Sequence, residues 1–376
     1  MGRPSWDLIV VGAGPAGSAA ALAAKRANHD ARVLILDRAP LGRDKVCGDG
    51  IAPHAVAELE ALGVSAVLPH EHVGSVRLIG PDGGDAQALT SSPGYVIPRA
   101  VFDARLLTSA LNAGAEFVHT KVATVRQDQR SVTINDQWTA PHVVGADGSN
   151  SIVRRQSGQP GNRGRAMAVA IRGYAPTPAG AEDELVIRWD THRTGGLCYA
   201  WAFPTADGTS NVGYGLSSAA ANHSRAYLVR RLGELLPDYR LTGVTLTGHT
   251  LPLSVSRPRA AVGRMLLVGD AASLINPFTG EGIYSAIASG VFAGRAAIEH
   301  PDAAGHHYQT DLAARFSRQH RQTTALYRII DAPKVLSTVV RAAAADGKLF
   351  DRLLDVGLGD AAFRWRDLAR FGRFAF

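Results

Sequence analysis

Three short stretches carry glycine and aspartate at spacings suited to holding phosphates and sugar hydroxyls. They are Gly12-Ala13-Gly14-Pro15-Ala16-Gly17, Asp147-Gly148 and Gly269-Asp270. The first matches G-x-G-x-x-G, and Asp37 follows twenty residues after Gly17. In such a turn Gly12 permits the sharp bend, Gly14 lets the backbone approach a pyrophosphate, and Gly17 lets helix and strand pack closely. The free N–H groups of the helix start attract the phosphates. Asp37, followed by Arg38, can accept hydrogen bonds from a ribose diol. A fourth stretch, Pro277-Phe278-Thr279-Gly280-Glu281-Gly282-Ile283, opens a helix whose positive end points outward. That end stabilises negative charge on a ring brought against it, and its two glycines let the backbone come close. Together these features call for a dinucleotide, NAD(P) or FAD.

The glycine loops need strands to hold them. Leu8–Val11 is an apolar run that reads as a buried strand, 16–24 reads as a helix, and 33–36 is a second apolar run ending in Asp37. Apolar runs at His142–Gly145 and 265–268 lead into the other two loops. Open α/β sheets bind ligands at the carboxyl ends of their strands, so three such loops from distant parts of the chain imply one extended ligand. Helices are expected at 53–62, Arg99–Asn112 and 282–298, and short strands at 74–79, 95–97, 116–125 and 131–134. From 166 to 253 short β-like segments dominate, at 166–174, 185–189, 197–203, 210–216 and 244–251, with a helix at 225–236. This reads as an antiparallel sheet with one ligand-facing side. After Pro301 only helices are expected, with breaks near Pro333 and Gly347. The fold class is α/β: a discontinuous Rossmann-like domain (1–75, 98–165 and 255–300), an inserted β-rich substrate domain (76–97 and 166–254) and a helical C-terminal region (301–376).

The bulk numbers agree with an ordinary globular chain. Of 376 residues, 46% are hydrophobic and 19% charged. The net charge of +7 comes from arginines that are scattered rather than interleaved with aromatics, which argues against nucleic-acid binding. A basic surface can still attract anionic substrates or membrane headgroups. The two cysteines, Cys47 and Cys198, form no disulfide framework and no C-x-x-C pair, so a cytoplasmic protein with peripheral access to a membrane is expected. His306-His307 has no accompanying ligand set, and no metal is expected.

The ordered stretches GAGPAG, GADGSNSIVRR and LLVGDAASLINPFTGEGI resemble the FAD-dependent oxidoreductases of the para-hydroxybenzoate hydroxylase fold. The resemblance selects FAD. It implies that Asp147-Gly148 lies near the pyrophosphate, that Asp270 meets a ribitol hydroxyl, and that Gly282 and Ile283 contact the flavin, with Pro277 and Gly280 in the same segment. It places Arg99 on the phosphates or ribityl chain, against a solvated first-turn arginine as the plain alternative. It sets Val122 on a strand against the adenine, where a core valine is the competing reading. Arg43-x-Lys45-x-Cys47-Gly48 and Tyr199-Ala200-Trp201-Ala202-Phe203-Pro204, followed by Asn211-Val212-Gly213, resemble the geranylgeranyl reductase branch. Asp49 departs from that branch, which often has glycine there.

On a strand Tyr199, Trp201 and Phe203 share one face, a wall suited to an isoprenoid chain or another flat apolar substrate. Cys47 and Tyr199 are the candidate catalytic residues. Cys47 reads equally as a proton donor beside the flavin and as a buried apolar residue. With one dinucleotide fingerprint, reducing equivalents must come from a transiently docked NAD(P)H or another carrier. The expected activity is FAD-dependent reduction of C=C bonds in a prenyl chain. The rivals are a monooxygenase acting on an aromatic or apolar molecule, a halogenase, and a non-catalytic flavoprotein that docks on membranes. Only the end of the halogenase motif W-x-W-x-I-P has a counterpart, in Trp201-Ala202-Phe203-Pro204.

Overall fold

The computed structural model of the chain describes residues 6–190, 198–327 and 333–374. Leu8–Val11 is fully buried and sits centrally in a six-stranded sheet. Val33–Asp37 pairs parallel to it on one side and His142–Gly145 on the other. Met265–Leu267 then pairs parallel with His142–Gly145, and Glu116–His119 with Val33–Asp37. Strands buried on both faces need continuous apolar sequence, which LIVV, VLIL and MLL supply. The carboxyl ends of three neighbouring strands thereby deliver Gly12, Ala146 and Val268 to one edge.

Two helices cover one face of this sheet. Pro15–Ala27 follows the glycine turn, with proline at its start. Ile283–Glu299 lies against it. A Cβ on Gly290 would sit 2.2 Å from the Ala16 carbonyl oxygen, and one on Gly294 only 2.0 Å from that of Ala20. Only glycine permits this approach.

The second sheet has eight strands and is antiparallel except where Glu184–Trp189 runs parallel to His72–Ile79. Its middle is Met167–Pro176, Thr209–Ser217 and Tyr199–Pro204 in antiparallel register. Leu197, expected to start the 197–203 strand, lies outside the described residues. The short strand expected at 95–97 is the end of a longer one, Asp85–Val96. The strand expected over 116–125 ends at His119. Val122 is therefore not on a strand: the Asn135 side chain takes the N–H groups of Ala123 and Thr124, at 2.8 and 3.1 Å, in place of a neighbouring strand. Among the described residues, four helices follow Pro301: Ala304–Tyr327, Pro333–Ala345, Gly347–Leu358 and Trp365–Gly372.

Candidate functional site

A single cavity of about 1140 Å³ runs between the two sheets and on to the C-terminal helices. One end is bounded by Asp37, Arg38 and Val122. Asp37 is held in place by two backbone donors, Ala13 N at 2.7 Å and Ala39 N at 2.8 Å, each on a separate carboxylate oxygen. A carboxylate offers about four acceptor positions, so two remain for a diol.

The glycine turn forms the next part of the wall. Gly12 has φ +109°, and a Cβ there would lie 2.2 Å from the Ala146 carbonyl oxygen. Gly17 packs against the Gly12 carbonyl, where a Cβ would be 1.8 Å away. At Gly14 the Cβ position faces two guanidinium groups and the carboxylate that pairs them, with Arg43 Nη2 at 3.3 Å, Asp103 Oδ2 at 3.8 Å and Arg99 Nη2 at 3.9 Å. Gly14, Pro15 and Ala16 line the cavity, whereas Ala13 and Gly17 lie behind its wall. Arg99 is 3 % exposed, which excludes a solvated first-turn arginine. It makes a two-point contact with Asp103, at 2.6 and 2.8 Å. A glycine gap beneath two cations at a helix N-terminus has the donor chemistry of a pyrophosphate site. The residues present fit FAD.

The second and third loops complete the cradle. Asp147 lines the cavity, but one carboxylate oxygen turns inward and accepts from Ile152 N at 2.6 Å, starting the helix Ile152–Gln156. Its neighbour Gly148 takes φ +76°. Asp270 lies on the wall with Lys45 Nζ 2.8 Å from its Oδ2. Burial raises this carboxyl, but the Lys45 ammonium outweighs it and holds Asp270 below the usual carboxylate range. Gly269 has φ +54° and packs against Ala286 and Ala16 rather than facing the cavity.

At the start of the helix Ile283–Glu299, Pro277, Gly280, Gly282 and Ile283 face the same space. Between them stands Glu281, the sole charged residue between Asp270 and Arg295. Its carboxylate accepts from Tyr284 N at 2.6 Å, and burial pushes it up to about 8. Burial thus favours its protonated form. The sequence offered a signal, one charge in an apolar run, but assigned it no role.

Opposite these loops, Tyr199, Trp201 and Phe203 all line the cavity, as one face of a strand must. The Tyr199 hydroxyl donates to the Thr279 carbonyl, tying the wall to the PFTGEGI turn. Its ring meets that of Trp201 at 5.9 Å. The Trp201 indole packs where a Gly213 side chain would stand and donates to Asn211 Oδ1 at 3.0 Å. Pro204 is buried away from the cavity. Gly48 is covered by Phe203, and Cys47 lines the wall beside Arg99.

Asp49 explains the departure from glycine. It keeps the left-handed backbone, φ +64°, that glycine adopts freely and aspartate tolerates. Its buried carboxylate accepts from the Tyr174 hydroxyl and from Asn211 Nδ2 at 2.7 Å. Asn211 also donates to the Cys47 carbonyl at 2.8 Å. Burial raises the Asp49 carboxyl against the pull of these donors. The aromatic strand and the Cys47 loop are thus joined through one asparagine, Asn211, which accepts from Trp201 and donates to both Cys47 and Asp49.

The chain matches the FAD binding domain family over residues 5–300. It is 34% identical over 311 residues to the menaquinone reductase of Mycolicibacterium smegmatis, covering 76% of this chain and 75% of that protein. It is 32% identical over 315 residues to digeranylgeranylglycerophospholipid reductase 1 of Methanopyrus kandleri, covering 78% and 80%. Among solved structures, a geranylgeranyl bacteriochlorophyll reductase-like protein from Thermoplasma acidophilum superposes with TM-score 0.79 at 23% identity, over 99% and 96% of the chains. The flavin-dependent brominase Bmp2 superposes with TM-score 0.69 at 16% identity, over 98% of each. These two likenesses establish the fold.

Proposed function

The chain belongs to the FAD-binding oxidoreductases, in their geranylgeranyl reductase branch, and on that premise we propose that it saturates C=C bonds in the prenyl chain of a lipid or quinone. One observation carries the reading: the dinucleotide cradle and a long apolar extension are parts of the same cavity. The extension begins at Tyr199, Trp201 and Phe203 and continues past Leu251, Leu336 and Leu354 toward the C-terminal helices. Such a lining suits a hydrocarbon chain and offers few polar groups to a small polar substrate.

Reduced FAD, when bound, supplies a hydride equivalent from its N5 position. The residues of the chain do the rest. Arg43, Arg99 and the start of Pro15–Ala27 bind the pyrophosphate. Asp37 takes the adenosine ribose, and Asp270, fixed by Lys45, takes a ribityl hydroxyl. The start of Ile283–Glu299 stabilises negative charge at the ring end. Glu281 holds a proton on its carboxyl at neutral pH and donates it to the carbon opposite the one reduced. One hydride and one proton saturate one double bond. Trp201 and Phe203 lay the chain along the wall and exclude water. NAD(P)H or another carrier docks transiently to restore the reduced cofactor.

The test is anaerobic. Photoreduced holoenzyme is mixed with a geranylgeranyl lipid or menaquinone, and the product is weighed by mass spectrometry. A gain of two hydrogens with flavin reoxidation is expected. No turnover on any prenyl substrate, or gain of one oxygen atom by an aromatic substrate in air, would overturn the reading.

A further inference from the structure

The C-terminal helix Trp365–Gly372 has two unlike faces. One is anchored. Arg352 lies 3.4 Å from Asp367 and Arg370 lies 3.6 Å from Asp346, while Phe371 meets Phe363 edge-on at 5.7 Å. The other face is open. At a period of 3.6 residues Trp365, Leu368, Ala369 and Gly372 fall together, and all four are exposed. Trp365 is 87 % exposed and Leu368 39 %. An exposed tryptophan beside an exposed leucine on one short helix is unlike the scattered single apolar residues of an ordinary surface.

Basic side chains outnumber acidic ones around this stripe, and Asp367 of the same helix is engaged by Arg352. Arg364, Arg366 and Arg373 flank it, all exposed. Beside it lies a second, shallower pocket of about 660 Å³, to which Arg364 and Arg318 both contribute. Other arginines of that pocket are paired, Arg295 with Asp311 at 2.7 Å and Arg315 with Glu58 at 2.6 Å. Among the described residues, no carboxylate lies within ion-pair distance of Arg318, Arg364, Arg366 or Arg373. These cations and the apolar stripe together match a surface that offers anions above and hydrocarbon below.

The position gives this surface its use. Leu368 and Phe371 of the same helix, and Phe363 just before it, also line the main cavity. We propose that Trp365–Gly372 and the arginine pocket seat the open end of the cavity on an anionic lipid bilayer. Trp365 and Leu368 insert at the headgroup level, and Arg318 and Arg364 hold a lipid phosphate. A prenyl chain then slides from the bilayer into the cavity without crossing water. The purpose assigned to the contact rests on the prenyl-chain reading, but the contact itself is measured without substrate.

The holoenzyme is floated with vesicles of phosphatidylcholine alone or mixed with phosphatidylglycerol, and Trp emission is followed with bromolipids in the bilayer. Binding to the mixed vesicles at low salt is expected, with quenching that Trp365→Phe diminishes. The combined variant Arg364→Glu/Arg366→Glu/Arg373→Glu is expected to bind at least about tenfold more weakly. Its FAD content and its turnover of a detergent-dispersed prenyl substrate are expected to stay unchanged. Equal binding to neutral vesicles, or full binding by the triple variant, overturns the proposal. So does concentration-dependent dimerisation that Trp365→Phe abolishes, which would make a second copy of this chain the occupant. Vesicle binding without turnover in detergent would instead count against the prenyl substrate alone.

Discussion

The Lys45 ammonium donates to Asp270 across 2.8 Å, joining two cavity loops that lie 225 residues apart in sequence. Both side chains are largely buried, at 23 % and 10 % exposure. Lys45→Met leaves a buried carboxylate without its counter-charge. The expected cost is about 3 kcal/mol of stability in urea unfolding, together with loss of FAD on gel filtration. A variant that keeps its flavin and its midpoint would show that the pair does not organise the cradle.

Glu281 sets a pH limit on the reaction. Its carboxyl is raised from 4.5 to about 8, so it is protonated below that value and loses its proton as pH rises through it. The single-turnover rate of reduced enzyme with a prenyl substrate is expected to fall above about pH 8. Glu281→Gln should slow the reduction about a hundredfold and flatten the profile. An unchanged profile would assign the proton to another group.

Gly294 controls how closely the two cofactor-facing helices approach. In Gly294→Ala the new methyl meets the Ala20 carbonyl oxygen at 2.0 Å, so Ile283–Glu299 must move. The expected result is a loss of about 1–3 kcal/mol and weaker flavin retention, read by thermal unfolding and by flavin absorbance.

His320 governs acid stability. It is 6 % exposed and stacked on Phe316, and burial, assisted by the Arg257 charge, holds it down to about 3. A depressed histidine costs nothing above its unfolded value of 6.5. As pH falls below 6.5 the unfolded state takes up the proton first, and stability drops until about pH 3. At pH 5 the loss is about 2 kcal/mol. His320→Leu should show a shallower decline between pH 7 and 5 in denaturant titrations.

The cradle was legible in the sequence because its glycines answer backbone demands. Gly12 and Gly17 are packed against main-chain oxygens, and no other residue fits. The aromatic wall was legible because alternation along a strand survives any sheet context. Val122 was misplaced because Asn135, thirteen residues on, competes for the neighbouring backbone N–H groups. The strand Asp85–Val96 was foreseen only at its end, since Pro93 and Gly94 interrupt the strand pattern. The role of Glu281 was not legible, because its raised pKa arises from burial by elements distant in sequence. Asp49 looked like an exception until its partners, Tyr174 and Asn211, were placed around it.

The pairing of Met265–Leu267 with His142–Gly145 has a consequence for how the protein is made. Translation delivers the glycine fingerprint first and the strand that completes its sheet more than 240 residues later. Until then one side of His142–Gly145 has no neighbouring strand, and Ala16 and Ala20 await the helix that covers them. A nascent chain therefore carries an open sheet edge, a template for pairing with other chains, until Met265–Leu267 has been made.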